Sequence, residues 1–297
     1  MYDAGRPNDT NTMNIPSTHN LAGKVAVVTG GGGVLCSTLA RALAAAGAKV
    51  AVLDLREEAA KKVADAIAAG GGVAKGYACN VLEKDSLEAA RAAVEADLGP
   101  VDVLLNGAGG NHPKGTTSNE RISAADLAAA APGLKTFYDL DPAGIQFVFN
   151  LNILGTLLPT QVFTKGMVER GRGTILNISS MNAFRPLTKI PAYSAAKAGV
   201  SNFTQWLAVH FSQAGIRVNA IAPGFFLTDQ NRTLLTNPDG SLTARGDKIL
   251  SLTPMGRFGD PEDLVGAVLW LLDDKAAGFV TGVVLPVDGG FNAFSGV

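Results

Sequence analysis

Cysteine is nearly absent from this chain, with Cys36 and Cys79 the only two among 297 residues. Two cysteines are too few for a disulfide framework and are not spaced like metal ligands, so we expect buried free thiols and no bound metal. A surplus of positive charge is absent too, because 25 Lys and Arg stand against 26 Asp and Glu with no basic block. Nucleic-acid binding needs a surface that neutralises phosphates, so we expect no nucleic-acid partner.

Long hydrophobic runs are also missing. Apolar residues make up 47% of the chain, but Gly, Asp or Arg interrupts each run before it reaches the roughly 20 residues that cross a bilayer. Residues 1–20 are rich in Asn, Asp, Thr and Ser and lack the apolar segment of a secretory signal. We therefore expect no membrane association, a cytoplasmic location and a loose N-terminal arm over 1–20.

From Lys24 onward, β-branched apolar runs alternate with Ala-rich helical stretches. This alternation is typical of βαβ units, and continuously apolar runs are typical of strands buried on both faces. We predict an α/β fold: a single Rossmann-type domain over 21–297, with a doubly wound parallel sheet of about seven strands and helices on both faces. The predicted strands are 24–29, 49–53, 73–78, 101–106, 173–179, 217–222 and 283–287.

The helices are predicted in the gaps between these strands. Periodic apolar residues predict a helix over 35–46 that stops at Gly47, and the longest helices are expected over 155–170 and 192–213. Two segments, 110–144 and 225–259, break the alternation, and the second contains an Asn-Pro-Asp-Gly turn at 237–240. Long irregular stretches in a compact domain are usually binding loops, so we expect both to contact substrate.

A glycine-rich turn at 30–33 follows the first strand and precedes a helix. Such a turn lets backbone amides and the helix dipole hold a pyrophosphate, although a purely structural turn is the alternative. Asp54 ends the second strand, where a carboxylate accepts hydrogen bonds from the adenosine ribose; a solvated strand end is its alternative. The carboxylate repels a 2′-phosphate, whereas Arg56 would attract one, so NAD is favoured over NADP.

Tyr193 and Lys197 are four residues apart on a predicted helix, which places both side chains on one face. A free tyrosine has a pKa near 10, so it becomes an effective base at neutral pH only when a cation such as Lys197 stabilises the phenolate. Ser180 ends a predicted strand at the same edge of the sheet and can hold the substrate oxygen. Together they predict proton transfer between Tyr193 and an alcohol or carbonyl oxygen while nicotinamide carries hydride.

At these residues the sequence resembles the short-chain dehydrogenase/reductase family, over 21–290. Ser180, Tyr193 and Lys197 match the family's catalytic order, and 152–155 resembles the element with its catalytic asparagine, which implies that Asn152 holds a water beside Lys197. The closing motif at 287–290 implies a homotetramer. Together with the carboxyl-end loops, the resemblance predicts cofactor contacts at Gly30, Gly32, Gly33, Leu35, Asp54, Asn80, Val81, Asn106, Gly107, Ala108, Tyr193, Lys197, Pro223, Gly224, Phe226 and Thr228.

The nucleotide turn departs from the family pattern, because Val34 and Cys36 occupy its last two glycine positions. We therefore expect the backbone to approach the pyrophosphate at Gly32 or Gly33 instead. Cys36 would lie close to the cofactor and could add oxidant sensitivity.

Segments 106–117, 179–184, 202–211 and 223–227 more closely resemble the D-mannonate oxidoreductase (fructuronate reductase) branch of this family. This resemblance implies a sugar-acid substrate, with NAD-dependent interconversion of D-mannonate and D-fructuronate. A sugar acid needs a cation for its carboxylate and hydrogen-bonding side chains for its hydroxyls, although loop cations are most often solvated. The alternatives are a reductase of another polyol, keto-sugar or 3-ketoacyl substrate and, more remotely, a non-catalytic NAD-binding protein. The predicted substrate residues are Asn111, His112, Lys114, Asn182, Arg185 and Arg232.

Overall fold

The computed structural model describes residues 20–129, 133–227 and 232–296. Apart from Asn20, the predicted arm over 1–20 lies outside the described residues, and so does the predicted cofactor residue Thr228.

Seven parallel strands form one sheet in the order β3-β2-β1-β4-β5-β6-β7. Each predicted strand is confirmed to within one residue at each end. The parallel arrangement places all seven carboxyl ends at one edge, where open α/β sheets bind ligands. The strands are β1 (Val25–Thr29), β2 (Lys49–Asp54), β3 (Val73–Ala78), β4 (Val101–Asn106), β5 (Gly173–Ile178), β6 (Ile216–Pro223) and β7 (Val284–Val287).

Eleven α-helices lie within the described residues, joined by short 3-10 turns. The predicted stop at Gly47 is confirmed, since this residue has φ +93° directly after the first helix and its cap. The helices are α1 (Val34–Ala45), α2 (Glu57–Ala69), α3 (Lys84–Asp97), α4 (Ala124–Ala129), α5 (Pro142–Phe149), α6 (Gly155–Phe163), α7 (Lys165–Arg170), α8 (Pro191–His210), α9 (Arg232–Leu235), α10 (Ala244–Ser251) and α11 (Val265–Leu272).

The helix predicted over 155–170 is found as α6 and α7, which are divided at Thr164 and preceded by further helical structure that was not predicted. Helical structure begins at Pro142 and continues through α5, a π-helical segment (Asn150–Leu154) and α6, and α7 follows after Thr164. Asp141 explains the early start, because its side chain accepts a hydrogen bond from the backbone N–H of Ala143 while proline occupies the first helical position. The π-helical segment is the part of this long helical region that carries Asn152.

Two apolar clusters cover the two faces of the sheet. One includes residues of α1, α2 and α11, and the other includes residues of α3, α6, α7 and α8. Strands β1, β2, β4 and β5 contribute side chains to both clusters, which explains why they are continuously apolar in sequence. The prediction of helices on both faces is thereby confirmed, and within the described ranges no helix is long and apolar enough to span a bilayer.

The two segments that interrupt the alternation lie at the carboxyl edge of the sheet. The first contains α4 and two 3-10 turns, Pro113–Gly115 and Phe137–Asp139, and no sheet strand among its described residues. The second contains α9 and α10, and its predicted turn is confirmed by a 3.0 Å hydrogen bond from Gly240 N–H to the Asn237 carbonyl.

Candidate active site

The glycine-rich turn after β1 packs backbone against backbone on the loop after β4. Gly30 has φ +62°, and a Cβ there would lie 2.9 Å from the Cα of Ala108, so any side chain would be both strained and obstructed. The Thr29 hydroxyl oxygen accepts hydrogen bonds from the backbone N–H groups of Gly107 (3.1 Å) and Ala108 (3.3 Å). Helix α1 then starts at Val34 without a side-chain cap, which leaves its first N–H groups suited to a phosphate.

The two residues that replace family glycines differ in their exposure. Val34 is partly exposed, whereas Cys36 is buried, with its sulfur so close to Gly107 that a Cβ there would overlap it. Burial raises the pKa of the Cys36 thiol to about 12, so the thiol stays protonated at neutral pH. Because the thiolate is the reactive form, the structure argues against the oxidant sensitivity that the sequence suggested.

The carboxylate of Asp54 is held by backbone N–H groups on two sides. One oxygen accepts from Gly32 N–H (3.1 Å) and the other from Arg56 N–H (3.0 Å). A Cβ at Gly32 would lie 2.9 Å from the first oxygen, so only glycine fits over this carboxylate. Each oxygen keeps an unused lone pair, and two vicinal ribose hydroxyls are suitable donors to them.

Ser180, Tyr193 and Lys197 are brought together, as predicted, at the carboxyl ends of β4, β5 and β6. Ser180 begins the 3-10 turn Met181–Ala183, and its hydroxyl oxygen accepts from the Asn182 N–H (3.2 Å). The Ser180 side chain is close enough to Tyr193 to lower the pKa of its phenol, and the Lys197 ammonium nitrogen lies 5.7 Å from the centre of the tyrosine ring. The same ammonium donates to the Ile178 carbonyl at 2.7 Å.

Burial dominates the ionisation of both groups. It raises the pKa of Tyr193, and the hydrogen bond with Ser180 opposes that rise. It lowers the pKa of Lys197 to about 8, because only 4% of that residue is exposed. The lysine is still largely charged at pH 7, and this charge beside the phenol favours the phenolate that proton abstraction requires.

Asn152 is fully buried in the π-helical segment, and its side chain is anchored at both ends. Its amide nitrogen donates to the carbonyls of Gly110 (2.8 Å) and Val148 (2.7 Å), and its oxygen accepts from Gly110 N–H (3.3 Å). A Cβ at Gly109 would lie 2.8 Å from that oxygen and 3.0 Å from the Lys197 nitrogen, so both groups flank Gly109. The predicted role of Asn152 in holding a water stays a prediction, and its observed bonds fix the loop after β4.

A cleft of about 460 Å³ runs from Asp54 to Lys197 and combines the nucleotide turn with Tyr193 and Lys197. Glycines of the turn and of the loop after β4 line it, so the residues present fit a dinucleotide. Of the predicted cofactor residues, those that line it are Gly30, Gly33, Leu35, Asp54, Gly107, Ala108, Tyr193, Lys197, Gly224 and Phe226.

Other predicted cofactor residues lie beside this cleft rather than in its lining. Gly32 lines a neighbouring cleft, while Val81 and Pro223 are buried. The Asn80 amide group donates to Glu83 (2.8 Å). The Asn106 amide group is turned into the interior, where it donates to Thr160 (3.0 Å) and Asn177 (2.9 Å), so its side chain joins β4 to its neighbours.

Several predicted substrate residues have partners within the chain. Lys114 forms an ion pair with Asp141 at 3.1 Å, and the amide group of Asn111 donates to Thr116 at 3.0 Å. The ring nitrogen Nδ1 of His112 accepts from Lys114 N–H, so in the neutral ring Nε2 carries the proton.

The remaining three predicted substrate residues differ in their exposure to solvent. Arg185 and Arg232 are exposed, whereas Asn182 is buried with its side-chain oxygen unpaired.

Three contacts at the site were missed by the sequence reasoning. They are the Ile178 carbonyl bound to Lys197, the packing of Cys36 on Gly107 and the pair of backbone donors on Asp54. Only Gly107 gave a usable signal for one of them, since a Cβ at this position would overlap the Cys36 sulfur.

The sheet, the nucleotide turn and the grouped Ser, Tyr and Lys define an oxidoreductase with a Rossmann-type fold. Comparison with protein families gives a match to the short chain dehydrogenase family over residues 24–239. The chain belongs to this family.

Two relatives match almost the whole chain. It is 58% identical over 286 residues to an uncharacterised oxidoreductase of Haemophilus influenzae, covering 96% of this chain and 99% of the relative. It is 52% identical over 283 residues to the uncharacterised oxidoreductase UxuB of Bacillus subtilis, covering 95% and 100%. A solved structure of a Haemophilus influenzae protein, described as a candidate D-mannonate oxidoreductase with bound NAD, superposes with a TM-score of 0.89 at 58% identity, covering 94% and 98%.

Proposed function

We propose that this oxidoreductase uses NAD to interconvert D-mannonate and D-fructuronate, through hydride transfer at a secondary alcohol. The observation that carries the proposal is that Tyr193 and Lys197, with Ser180 beside them, lie at one end of a cleft whose far end is Asp54. The solved relative at 58% identity, described as a candidate D-mannonate oxidoreductase with NAD, supports both the substrate and the cofactor. When bound, NAD supplies the hydride acceptor for alcohol oxidation, and its reduced form supplies hydride for reduction.

The proton is handled by the protein. In oxidation the Tyr193 oxygen takes the proton from the substrate hydroxyl, and in reduction it returns one to the carbonyl oxygen. The Ser180 oxygen accepts from Asn182 N–H, and with substrate bound its single hydroxyl proton would be donated to the reacting oxygen. The charge of Lys197 favours the phenolate, and the bond from its ammonium to the Ile178 carbonyl fixes its position.

The sugar-acid assignment is supported by the polar groups around the same edge. Arg185 is exposed, forms no ion pair within the described ranges and follows Ser180 closely in the chain, so we assign it to the substrate carboxylate. The Nε2–H of His112 is assigned to a substrate hydroxyl. Lys114 is a weaker candidate than the sequence suggested, because Asp141 already neutralises its charge.

A substrate screen tests the proposal directly. Purified protein would be given hexuronates, aldonates, simple keto-sugars and a 3-ketoacyl thioester with each cofactor, and formation or loss of reduced cofactor would be followed by absorbance. We expect fructuronate and NADH to give the highest kcat/KM. Faster reduction of a keto-sugar or a ketoacyl thioester would reject the sugar-acid assignment, and no turnover with any of them would reject the enzymatic proposal.

Cofactor preference gives a separate prediction at Asp54. Asp54→Asn keeps the shape of the side chain but removes the charge that repels a 2′-phosphate and weakens acceptance from the ribose, while Arg56 remains beside it. We expect kcat/KM to fall about tenfold with NAD and to rise about tenfold with NADP, as steady-state kinetics will show. Glu58→Gln, which removes an exposed charge from the next helix, should leave both values unchanged; an equal effect of the two variants would point to a general charge effect.

The assembly is a further part of the proposal. Trp206 and Val209 on α8 are 56% and 77% exposed, and Phe279 is fully exposed. Exposed apolar side chains of this size support contacts between subunits, and with the closing motif at 287–290 we propose a homotetramer. Analytical ultracentrifugation decides the subunit number.

A further inference from the structure

The end of β5 contacts Lys197 through two consecutive residues. The Ile178 carbonyl accepts from the Lys197 ammonium at 2.7 Å. The next residue, Ser179, donates its hydroxyl to the backbone carbonyl of Lys197 at 3.2 Å. The lysine is thus held at its tip by the last residue of β5 and at its backbone by the residue that follows, and the next residue is Ser180.

The direction of these hydrogen bonds follows from counting protons. Ser179 has one hydroxyl proton, and the Lys197 carbonyl receives it. The 2.7 Å contact between the hydroxyls of Ser179 and Ser201 must therefore be a bond that Ser201 donates. Ser179 is only 2% exposed, so water does not readily replace either bond, and its side chain has a single orientation.

We propose that Ser179 is a positioning residue for the reaction, one that fixes helix α8 against β5 so that Lys197 and Tyr193 stand correctly relative to Ser180. This inference rests on the proposed function, because it assumes that these three residues perform the proton transfer. Ser179 itself is not one of the residues that line the cleft. Its effect passes through the backbone of α8 at Lys197, four residues from Tyr193.

A second buried bond joins the same helix to the same strand and provides a matched control. The Asn177 amide donates to the Thr204 hydroxyl at 2.9 Å, and Thr204 is fully buried. It lies seven residues, about two helical turns, beyond Lys197, and its hydroxyl bonds are with Asn177 and the Val200 carbonyl rather than with the catalytic residues. Loss of the Thr204 hydroxyl should cost stability in the same way as loss of the Ser179 hydroxyl, without moving Lys197.

The experiment compares Ser179→Ala with Thr204→Val in the full chain. Four quantities would be measured for each: the Tm, kcat at saturating NAD, the Kd for NAD, and the pKa of Lys197 from competitive labelling with acetic anhydride read by mass spectrometry. In Ser179→Ala we expect kcat to fall about 10- to 100-fold, the usual consequence of misplacing a catalytic group, with a change in Kd of less than about threefold. The Lys197 pKa should rise by about half a unit or more, because the loosened ammonium is less buried.

Thr204→Val should lower the Tm about as much as Ser179→Ala does, and should leave kcat and the Lys197 pKa unchanged. If both variants leave kcat and the Lys197 pKa unchanged, or both change them equally, Ser179 has only a structural role and the inference is wrong. If Ser179→Ala does not fold, Ser201→Ala removes the donor that orients Ser179 and should give a smaller pKa rise in the same direction. Lack of turnover in the unaltered protein would reject the proposed function, whereas the labelling comparison would still decide whether Ser179 positions Lys197.

Discussion

Tyr193→Phe is expected to lower kcat by about 10³-fold while changing the Kd for NAD by less than about threefold. The variant keeps the ring that packs beside Lys197 and removes only the oxygen that gives or takes the proton. Ser180 and Lys197 remain, so the substrate oxygen still has a hydrogen-bond donor but no proton carrier. Steady-state kinetics would measure kcat, and quenching of protein fluorescence by NAD would measure Kd.

Tyr77→Phe is the matched control for this result. Tyr77 lies on β3, where its hydroxyl donates to Asp97 at 3.0 Å, well away from the catalytic cleft. Loss of the Tyr77 hydroxyl should leave kcat and the Kd for NAD unchanged. Turnover in Tyr193→Phe close to that of the unaltered protein would mean that another group transfers the proton, and the assignment of the site would then have to be abandoned.

The strands were predictable because burial on both faces of the sheet requires a continuous run of apolar residues. Residues of β1 such as Ala26 and Val28 pack into one apolar cluster, whereas Val25 and Val27 pack into the other, so no position on this strand can be polar except at its end. The spacing of Tyr193 and Lys197 was equally informative, since a four-residue separation on a helix fixes their relative direction.

The rest of the site depends on pairs that sequence spacing does not reveal. Lys114 resembled a substrate-binding cation, but its partner Asp141 lies 27 residues away and approaches only because α5 packs on the turn at Pro113–Gly115. Asn106 resembled a cofactor ligand, whereas its partners Thr160 and Asn177 come from two other elements. The start of α5 was different, because Asp141 followed by proline is a local cap signal that the sequence contained.

Lys197→Met is expected to abolish most activity and at the same time to stabilise the cofactor-free protein at pH 7. Burial lowers the pKa of this lysine from 10.5 to about 8, so at pH 7 the folded state carries a charge that it disfavours relative to the unfolded chain. That shift corresponds to a destabilisation of the folded state by about 3 kcal/mol, which the substitution removes. Loss of the bond to the Ile178 carbonyl costs about 1 kcal/mol, so the free energy of unfolding should increase by about 2 kcal/mol. Urea unfolding gives the free energies, and kcat should fall about 100-fold or more because the phenolate of Tyr193 loses its cation.

The stabilisation must depend on pH with a defined sign. Between pH 8 and 10.5 the unfolded chain holds the Lys197 proton while the folded protein has released it, so the stability of the unaltered protein rises with pH in this window. At pH 9.5 the burial penalty has fallen to about 1 kcal/mol, and the variant should have no advantage left. Lys49→Met is the control, because Lys49 also donates to a backbone carbonyl, that of Leu98, but is exposed and should give no gain at either pH. A gain for Lys197→Met that persists unchanged at pH 9.5 would come from better apolar packing, and Lys197 would then not be held as a disfavoured charge beside Tyr193.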